Sequence, residues 1–297
     1  GIYTVLFLII MANLSFAAEG DVLWTKILNY GYVSKEEKAC KIALDSGNNI
    51  YLGALMDDES LWLMKFDSTG NTVWTQQLPG WYWHQDFYPC HWDITVDSSD
   101  NIYVLANRDP NIFIAKYNSA GTLLWTNSYN YPGNESTEGY GIDAENGYLY
   151  ITGSTYYTQG SAWDPYLILI KYDVNGNFQW AVTNNFCTFF VDNTGYDVAI
   201  EGNYVYVAGN YDNGLLVVKY SNNGNVIWFT NAGILNGWGY AVEAVGDIFV
   251  TGYQWGGNDD IFTARIDENG NLLSLIHISD PTRLGMTSYA VSSLKKK

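Results

Sequence analysis

One eight-residue pattern occurs five times along the chain, and this repeat limits the folds that are open to it. Each copy starts with Asp, Asn or Ser and has Gly at its fourth position, and the first four copies have Trp at the eighth. The copies begin at Asp67, Asn118, Asp173, Ser221 and Asp267, and the fifth copy has Ser274 in place of the tryptophan. Asp or Asn followed by Gly favours a hairpin turn, because the side chain bonds nearby backbone and glycine adopts positive φ. A recurrence about every fifty residues indicates a repeat fold.

Three apolar segments precede each turn and are predicted to be β-strands. The last of them ends in a base, usually followed by an aromatic residue: Lys65, Lys116, Lys171, Lys219 and Arg265. The middle strands are expected at 50–53, 102–104, 149–153, 205–209 and 248–252, and the first strands at 41–44, 93–96, 141–143, 197–200 and 241–243. Tyr, Val and Ile in these segments are typical of strands. With the strand after the turn, each repeat supplies four strands.

The predicted fold class is all-β: a β-propeller of four-stranded blades, with about five blades present and truncation at the C-terminus. A four-stranded sheet cannot cover both of its faces alone, so each repeat must stack against neighbours. The first strand of each repeat has small residues, which suits the crowded centre of a propeller. The recurring tryptophan is predicted to be the wedge between neighbouring blades, and the recurring lysine is expected to belong to the scaffold.

These motifs resemble a known repeat family. An Asp-x-x-Gly-Asn turn, a Tyr-Val strand, a Lys-Tyr strand and Gly-Asn-x-x-Trp together resemble the bacterial β-propeller repeat called SBBP. The turn–tryptophan part is similar, more distantly, to the tryptophan-docking repeats of quinoprotein dehydrogenases. The resemblance covers residues 22–272, with five copies in register. It implies a propeller, and its quinoprotein branch implies an enzyme with a quinone cofactor.

Both ends of the chain are predicted to lie outside the propeller domain, which is assigned to 18–272 with repeats ending near Trp74, Trp125, Trp180, Trp228 and Leu272. Residues 1–17 are apolar and end in small residues, as in part of a secretory signal peptide, so a secreted or cell-surface location is expected. Residues 273–297 resemble translated sequencing adapter and are predicted to be a non-native tail. The segment 22–28 resembles an outermost strand and is expected to pair with 261–266 or to remain exposed.

Charge and motifs exclude several functions. The net charge of −17 argues against nucleic-acid partners, which need a basic surface. It is compatible with cations and neutral sugars. No stretch is long and apolar enough for a membrane-spanning helix. No phosphate-binding loop, nucleophile elbow or standard zinc spacing is present, so we predict no cofactor, no metal and no catalytic residue.

A ligand site is predicted where the repeats become unequal, because a scaffold repeats and a site breaks the symmetry. The loops that precede the first strand of a blade, and those between its second and third strands, emerge on one face. Aromatic, amide and acidic residues cluster there in the long loops 79–92 and 154–164 and at two further positions. The candidate ligand-binding residues are Trp81, Trp83, His84, Asp86, Tyr88, His91, Tyr156, Trp163, Asp164, Trp238 and Trp255. Flat rings beside polar groups suit sugar recognition.

Competing interpretations remain open. The loop aromatics can instead pack on one another and hold the loops. A metal site is a second alternative for the cluster His84, Asp86, Cys90 and His91. The spacing of these residues matches no standard zinc pattern. Acidic residues before each third strand suit turn capping better than glycoside hydrolysis: Glu59, Asp109, Asp164, Asp212 and Asp260. The leading hypothesis is a non-catalytic module that binds a glycan or protein. The alternatives are a secreted propeller enzyme and a structural repeat of a larger surface assembly.

Overall fold

The protein consists of β-strands joined by turns in the part of the chain described by its computed structural model. The described residues are 8–9, 25–26, 38–55, 61–78, 92–108, 110–159, 162–186, 193–212, 214–255 and 260–278. They form five four-stranded antiparallel sheets and one short two-stranded sheet, and no helix occurs in these ranges. We call the five sheets blades 1 to 5 in chain order, and the strands of each blade A to D.

The strand bounds follow the repeat. The two-stranded sheet is β1 (Leu8–Ile9) and β2 (Thr25–Lys26). Blade 1 has β3 (Lys38–Leu44), β4 (Ile50–Leu55), β5 (Leu61–Phe66) and β6 (Thr72–Gln77). Blade 2 has β7 (Asp93–Val96), β8 (Ile102–Arg108), β9 (Asn111–Tyr117) and β10 (Leu123–Tyr129). Blade 3 has β11 (Ser136–Glu145), β12 (Tyr148–Gln159), β13 (Ala162–Asp173) and β14 (Phe178–Asn184).

The last two blades repeat the same order. Blade 4 has β15 (Asn193–Glu201), β16 (Tyr204–Tyr211), β17 (Gly214–Ser221) and β18 (Val226–Thr230). Blade 5 has β19 (Gly237–Val245), β20 (Asp247–Gln254), β21 (Asp260–Ile266) and β22 (Leu272–Ile278). In every blade the strands pair in chain order, and the A strands of successive blades contact one another. The A strands are therefore innermost, and the predicted β-propeller with five four-stranded blades is confirmed.

The blades are held together by apolar layers between neighbouring sheets. One buried layer joins blades 1 and 2, a second joins 2 and 3, a third joins 3 and 4, and a fourth joins 4 and 5. The central strands of blade 4 are buried on both faces, as expected for a sheet with a neighbour on each side. Burial of these side chains supplies the main stabilising energy of the stack.

A repeated polar and aromatic cluster also links each blade to the next. In blades 1 to 4 a buried lysine on strand C lies near the ring of a tyrosine on strand B, with Nζ 4.9–5.5 Å from the ring centroid. The same ammonium donates to a carbonyl in the next C–D turn at 2.8–3.2 Å. We call this cluster the interblade clasp. Its lysines are Lys65, Lys116, Lys171 and Lys219 and its tyrosines are Tyr51, Tyr103, Tyr150 and Tyr206.

The recurring tryptophans occupy equivalent positions in the clasp, which confirms the predicted wedge. Each ring lies 5.9–6.3 Å from the clasp tyrosine and beneath the turn glycine of the next blade. The tryptophans are Trp74, Trp125, Trp180 and Trp228, and the glycines are Gly121, Gly176, Gly224 and Gly270. These glycines have φ of +82° to +88°, so the sequence pattern and the packing both require glycine there.

The turn residue itself has the predicted hairpin role. Oδ1 of Asp67 accepts backbone N–H groups of Thr69 and Asn71, both at 2.9 Å. Asp173 and Asp267 accept the same pair of bonds in their turns. The carboxylates of these repeats are therefore occupied by turn backbone. This is the turn chemistry that the sequence predicts.

Two sequence expectations need correction. The A strands begin earlier than predicted in blades 1, 3, 4 and 5, because a bulge carries the strand past a glycine or alanine. The segment 154–164, predicted as a loop, is mostly a long hairpin of β12 and β13, whose Thr and Tyr residues favour strand. β22 includes residues 273–278, and the domain boundary expected at Leu272 stays a prediction.

Of the two outcomes expected for segment 22–28, pairing with 261–266 is not seen among the described residues. Thr25–Lys26 pairs with Leu8–Ile9, and the outer edge of β21 is taken by β22. The segment that directly follows the turn closes the shortest loop and therefore has the smallest entropic cost of pairing. The predicted signal peptide and non-native tail stay predictions, and Trp24 lies outside the described residues.

Candidate functional site

The face at which the D–A and B–C connections emerge, here called the upper face, carries a row of aromatic rings. At the upper end of strand A, a bulge inserts one extra residue opposite strand B, and in blades 3, 4 and 5 that residue is Tyr140, Tyr196 or Tyr240. The ring centroids of Tyr140 and Tyr196 are 5.7 Å apart, and those of Tyr196 and Tyr240 are 5.3 Å apart. Neighbouring inner strands thus place tyrosines side by side around the axis.

Glycines opposite the bulges make this arrangement possible. A Cβ on Gly153, Gly209 or Gly252 would lie 1.8–1.9 Å from a carbonyl oxygen of strand A. These are backbone atoms, which cannot move aside as a side-chain end can. Only glycine therefore allows strands A and B to approach closely enough to form the bulge.

Two tryptophans extend the row outward across blade 5. Trp238, on β19, lies 6.2 Å from Tyr196 and 5.0 Å from Trp255, which follows β20, in an edge-to-face arrangement. The backbone N–H of Trp255 donates to the carbonyl of Asn236 at 2.8 Å, which ties the end of β20 to the preceding D–A connection. We call the set Tyr140, Tyr196, Tyr240, Trp238 and Trp255 the aromatic arc.

Exposure increases along the aromatic arc from blade 3 to blade 5. Tyr140 is buried, Tyr196, Trp238 and Trp255 are half-buried, and Tyr240 is 39% exposed. Leu235, in the neighbouring D–A connection, is 63% exposed. A ligand that lies on the upper face would therefore meet rings and apolar surface chiefly over blades 4 and 5.

A carboxylate fixes the buried end of the arc. The hydroxyl groups of Tyr140 and Tyr156 both donate to Oε2 of Glu138, the second at 3.3 Å. Burial, followed by the charges nearby, raises the pKa of Tyr140 and of Tyr156 above the usual tyrosine value. Both phenols therefore stay protonated hydrogen-bond donors at neutral pH.

Two polar atoms at the upper end of blade 5 lack a hydrogen-bond partner. Within the described ranges, Nε1 of Trp238 and Oδ1 of Asp260 are buried and unpartnered. Trp238 pairs across strands with Tyr253, and Asp260 pairs with Gln254 on the adjacent strands. An unmet buried donor and acceptor are unusual, because buried polar atoms are nearly always satisfied by protein or by water. Buried polar atoms without a partner also occur in other blades, so this feature is not confined to blade 5.

Carboxylates line the inner strands below the aromatic arc and join neighbouring blades. Asp93 accepts the N–H of Ile142 on the next blade at 3.0 Å. Asp143 and Asp197 bond in the same way to the following blade, at 3.0 and 2.8 Å. Each of these carboxylates also accepts the N–H of the residue that follows it. The main role of these groups is therefore to join blades.

One lysine balances part of this negative charge. Nζ of Lys41 lies 3.4 Å from Oδ1 of Asp93. Burial lowers the pKa of Lys41, but the carboxylates of Asp93 and Asp197 outweigh it and the net pKa is raised. Burial raises the pKa of Asp197 to about 7, and Asp93 adds to the increase while Lys41 opposes it. The inner wall thus contains a carboxyl group that titrates near neutral pH.

The structure brings together some predicted site residues and leaves others apart. Trp238 and Trp255, predicted on one face, are in contact. Tyr156 bonds Glu138 at the buried end of the arc, and Trp163 and Asp164 pair with Thr158 and Tyr157 on the blade 3 hairpin. The remaining candidates lie outside the described residues: Trp81, Trp83, His84, Asp86, Tyr88 and His91.

Trp92, at the end of the predicted aromatic loop 79–92, is a core residue. It is buried, and its ring fills the space above Gly53 of blade 1. The equivalent B-strand positions in later blades have side chains, Leu105, Thr152 and Ala208, and the next blade places a glycine against each. At Gly53 the space left by the glycine is therefore filled by a large ring from the next blade, whereas in the later interfaces the glycine lies on the next blade.

The tyrosines of the arc were missed by sequence reasoning, although a pattern was present. Gly-Tyr occurs at 139–140, 195–196 and 239–240, at the same place in three repeats. Each dipeptide lies just before the predicted first strand, and a Gly-Tyr pair alone does not predict a bulge. Repetition made these tyrosines look like scaffold, whereas the candidate site was sought where symmetry breaks.

Other potential sites are weaker. A cleft of about 180 Å³, lined by Arg108, Asn111, Phe113 and Ser128, lies on the outer part of blade 2 and is smaller than usual ligand pockets. No group of three or more His, Cys, Asp or Glu side chains suited to a metal occurs in the ranges described above. Over the same ranges, no helix has the length and apolar character needed to cross a bilayer.

Comparison with known proteins supports the fold. No family model and no curated protein sequence matches the chain. A protein of unknown function from Bacteroides caccae has a TM-score of 0.57 at 14% identity, over 90% of this chain and 88% of that chain. The Pan2 WD40 domain of Neurospora crassa has a TM-score of 0.50 at 12% identity, over 81% of this chain and 66% of that chain. WD40 domains are propellers, so the likeness shows the same architecture. Identities this low carry no information on activity.

Proposed function

We propose that this chain is a non-catalytic binding module that takes a glycan on its upper face. The observation that carries the proposal is the aromatic arc, in which adjacent rings are 5.0–6.2 Å apart and become more exposed toward blade 5. Aromatic rings cover the C–H face of a pyranose, and nearby polar atoms bond its hydroxyls. The negative net charge favours a neutral glycan over an anionic one.

Polar atoms lie at the same place. Within the described ranges, the indole N–H of Trp238 and Oδ1 of Asp260 are unpartnered but buried, so a sugar hydroxyl would reach them only if the surrounding side chains moved aside. The sequence also predicts Trp81 and Trp83 as ligand-binding residues of the same face, and both lie outside the described residues. We include a secreted or cell-surface location in this proposal, because extracellular glycans occur there. The proposal is also compatible with a place for this chain in a larger surface assembly.

Glycan-array screening followed by titration calorimetry tests the proposal. We expect Tyr240→Ala and Trp255→Ala each to weaken binding of the selected glycan about tenfold or more, the loss of one ring contact worth about 1.4 kcal/mol. Phe178→Ala is the matched control, because Phe178 is 49% exposed on the outer strand of blade 3, away from the arc. It should leave affinity unchanged.

The control separates three results. Loss of binding in all variants would indicate a folding defect, which thermal unfolding would reveal. Binding that is indifferent to Tyr240→Ala and Trp255→Ala but lost in Trp81→Ala or Trp83→Ala would place the site on the loop 79–92 instead. Absence of any glycan ligand, with a protein captured by the upper face and lost in the arc variants, would replace the glycan by a protein partner.

A further inference from the structure

The face of blade 5 that points away from blade 4 differs from the same face of every other blade. In blades 1 to 4 the clasp tyrosine on strand B is at most 3% exposed, whereas its equivalent in blade 5, Phe249, is 39% exposed. The residues of β19, β20 and β21 alternate between buried and more exposed positions, as in a sheet covered on one side. We call the exposed side the open face.

The open face contains the elements of an interblade clasp without its partner. Arg265 occupies the position of the clasp lysines, and its guanidinium carbon is 5.9 Å from the ring centroid of Phe249. In the other blades this cation donates to a turn carbonyl of the next blade. Here Nε of Arg265 donates instead to Asp247 of its own blade at 2.6 Å. The cation is thus paired locally where its equivalents reach across an interface.

The rest of the open face is compatible with burial. Tyr253 and Ile261 pair on adjacent strands, as do Thr263 and Ile276, and they continue the face beside Phe249. The hydroxyl of Thr251 donates to the carbonyl of Phe262 at 2.9 Å. Thr152, which is fully buried between blades 3 and 4, makes the same bond to Ile168. Covering Thr251 would therefore leave no unmet hydrogen bond.

Among the described residues, a second copy of this chain offers no exposed surface of the kind that meets this face in a blade stack. The surface that meets it in a blade stack is the opposite face of a blade, which blade 1 presents with Ile50, Leu52, Met64 and Phe66. These four side chains are already at most 2% exposed. The same face of blades 2 to 5 is used by the preceding blade.

We propose that the open face of blade 5 is a docking surface for one further four-stranded blade of the same repeat. The incoming blade would bring its C–D turn over Phe249, and a carbonyl of that turn would accept the guanidinium of Arg265. The inference rests on the four interfaces between blades 1 and 5. In each of them the same face of a blade, with an aromatic ring and a cation at the same two positions, contacts the next blade.

A longer chain tests the proposal against the 297-residue chain. Residues 273–297 are replaced by a second copy of 227–278, which places Trp at the position of Ser274 and adds one blade. The matched control carries only the second copy of 227–236, which restores the strand with its tryptophan but adds no blade. Phe249→Ala is made in all three chains, and Phe178→Ala, on blade 3, serves as the internal reference.

We expect Phe249→Ala to lower Tm slightly in the 297-residue chain and in the strand-only control. In the chain with the added blade, the loss should be larger by about 6 °C or more, because a buried phenylalanine is then removed. Phe178→Ala should have the same effect in every chain. Equal effects of Phe249→Ala in all three chains would overturn the proposal, and so would an added blade that melts separately or prevents folding.

Discussion

Single glycines decide how closely two strands of a blade can approach each other. This steric need for glycine differs from the need for a positive φ in a turn. Gly153 is opposite the bulge at Tyr140, where a Cβ would lie 1.8 Å from the carbonyl oxygen of Glu138. Gly147 is in the preceding A–B turn with φ of +81° and has no heavy atom within 4 Å of a built Cβ. Gly153 is therefore required for steric reasons, whereas Gly147 is required for its backbone conformation.

We expect Gly153→Ala to lower the free energy of unfolding by about 3 kcal/mol, because backbone must shift to admit the methyl group. Gly147→Ala should cost about 1 kcal/mol, the penalty of a left-handed conformation with a side chain. Urea denaturation followed by tryptophan fluorescence measures both. Similar losses for the two variants would mean that the bulge can relax.

At the scale of the strand and the blade, the interblade clasp is the recurring unit. Lys171 donates to the carbonyl of Asn222 at 3.1 Å and lies 3.8 Å from the centroid of Tyr148 and 5.0 Å from that of Tyr150. Burial lowers its pKa from the usual lysine value. Keeping Lys171 charged at this buried position therefore costs free energy. Its hydrogen bond to the next blade and its contacts with the tyrosine rings offset that cost.

Replacing the lysine of the clasp measures how much the ammonium group contributes to the free energy of unfolding. Lys171→Met keeps the aliphatic stem and removes the donor, and we expect a loss of about 2 kcal/mol in the free energy of unfolding. Arg265→Met is the matched control on the open face, where the exposed pair with Asp247 should contribute less than about 1 kcal/mol. Chemical denaturation of both variants gives the comparison. A loss for Arg265→Met as large as that for Lys171→Met would show that the clasp does not depend on the next blade.

At the scale of the whole molecule, the inner strands concentrate charge along the axis. Asp197 has a pKa of about 7 in the folded protein, and an aspartate in an unfolded chain has a pKa near 4. Between these two values the folded state binds more protons than the unfolded state. This group therefore makes stability fall as the pH rises from about 4 to about 7.

Asp197→Asn removes this titration. We expect the native chain to lose stability between about pH 5 and pH 7.5, and the variant to lose less over that range, whatever its absolute stability. Asp67→Asn is the control, since turn hydrogen bonds lower the pKa of Asp67 to about 2 and its contribution disappears only at lower pH. Urea midpoints at the two pH values measure the slope. An unchanged slope in Asp197→Asn would assign the titration to other groups.

Sequence reasoning predicted the fold and part of the site. The number of repeats predicts the number of blades. The residues within each repeat predict the turn chemistry and the equivalence of the four tryptophans. Trp238 and Trp255 were placed on one face because strand order alone decides at which end a connection emerges. The tyrosines of the aromatic arc, the core position of Trp92 and the hairpin at 154–164 were not predicted. Each depends on how strands A and B pair or on what the neighbouring blade presents.

The sequence by itself determined the repeating unit, because turns, strand propensities and the alternation of side chains act over a few residues. It therefore determined that blades form and that they must stack. Only the tertiary structure decided which surfaces remain open. The exposure of Phe249 and Tyr240 and the titration of Asp197 depend on which groups neighbouring blades place beside them. Local residue patterns do not contain the distances between those groups.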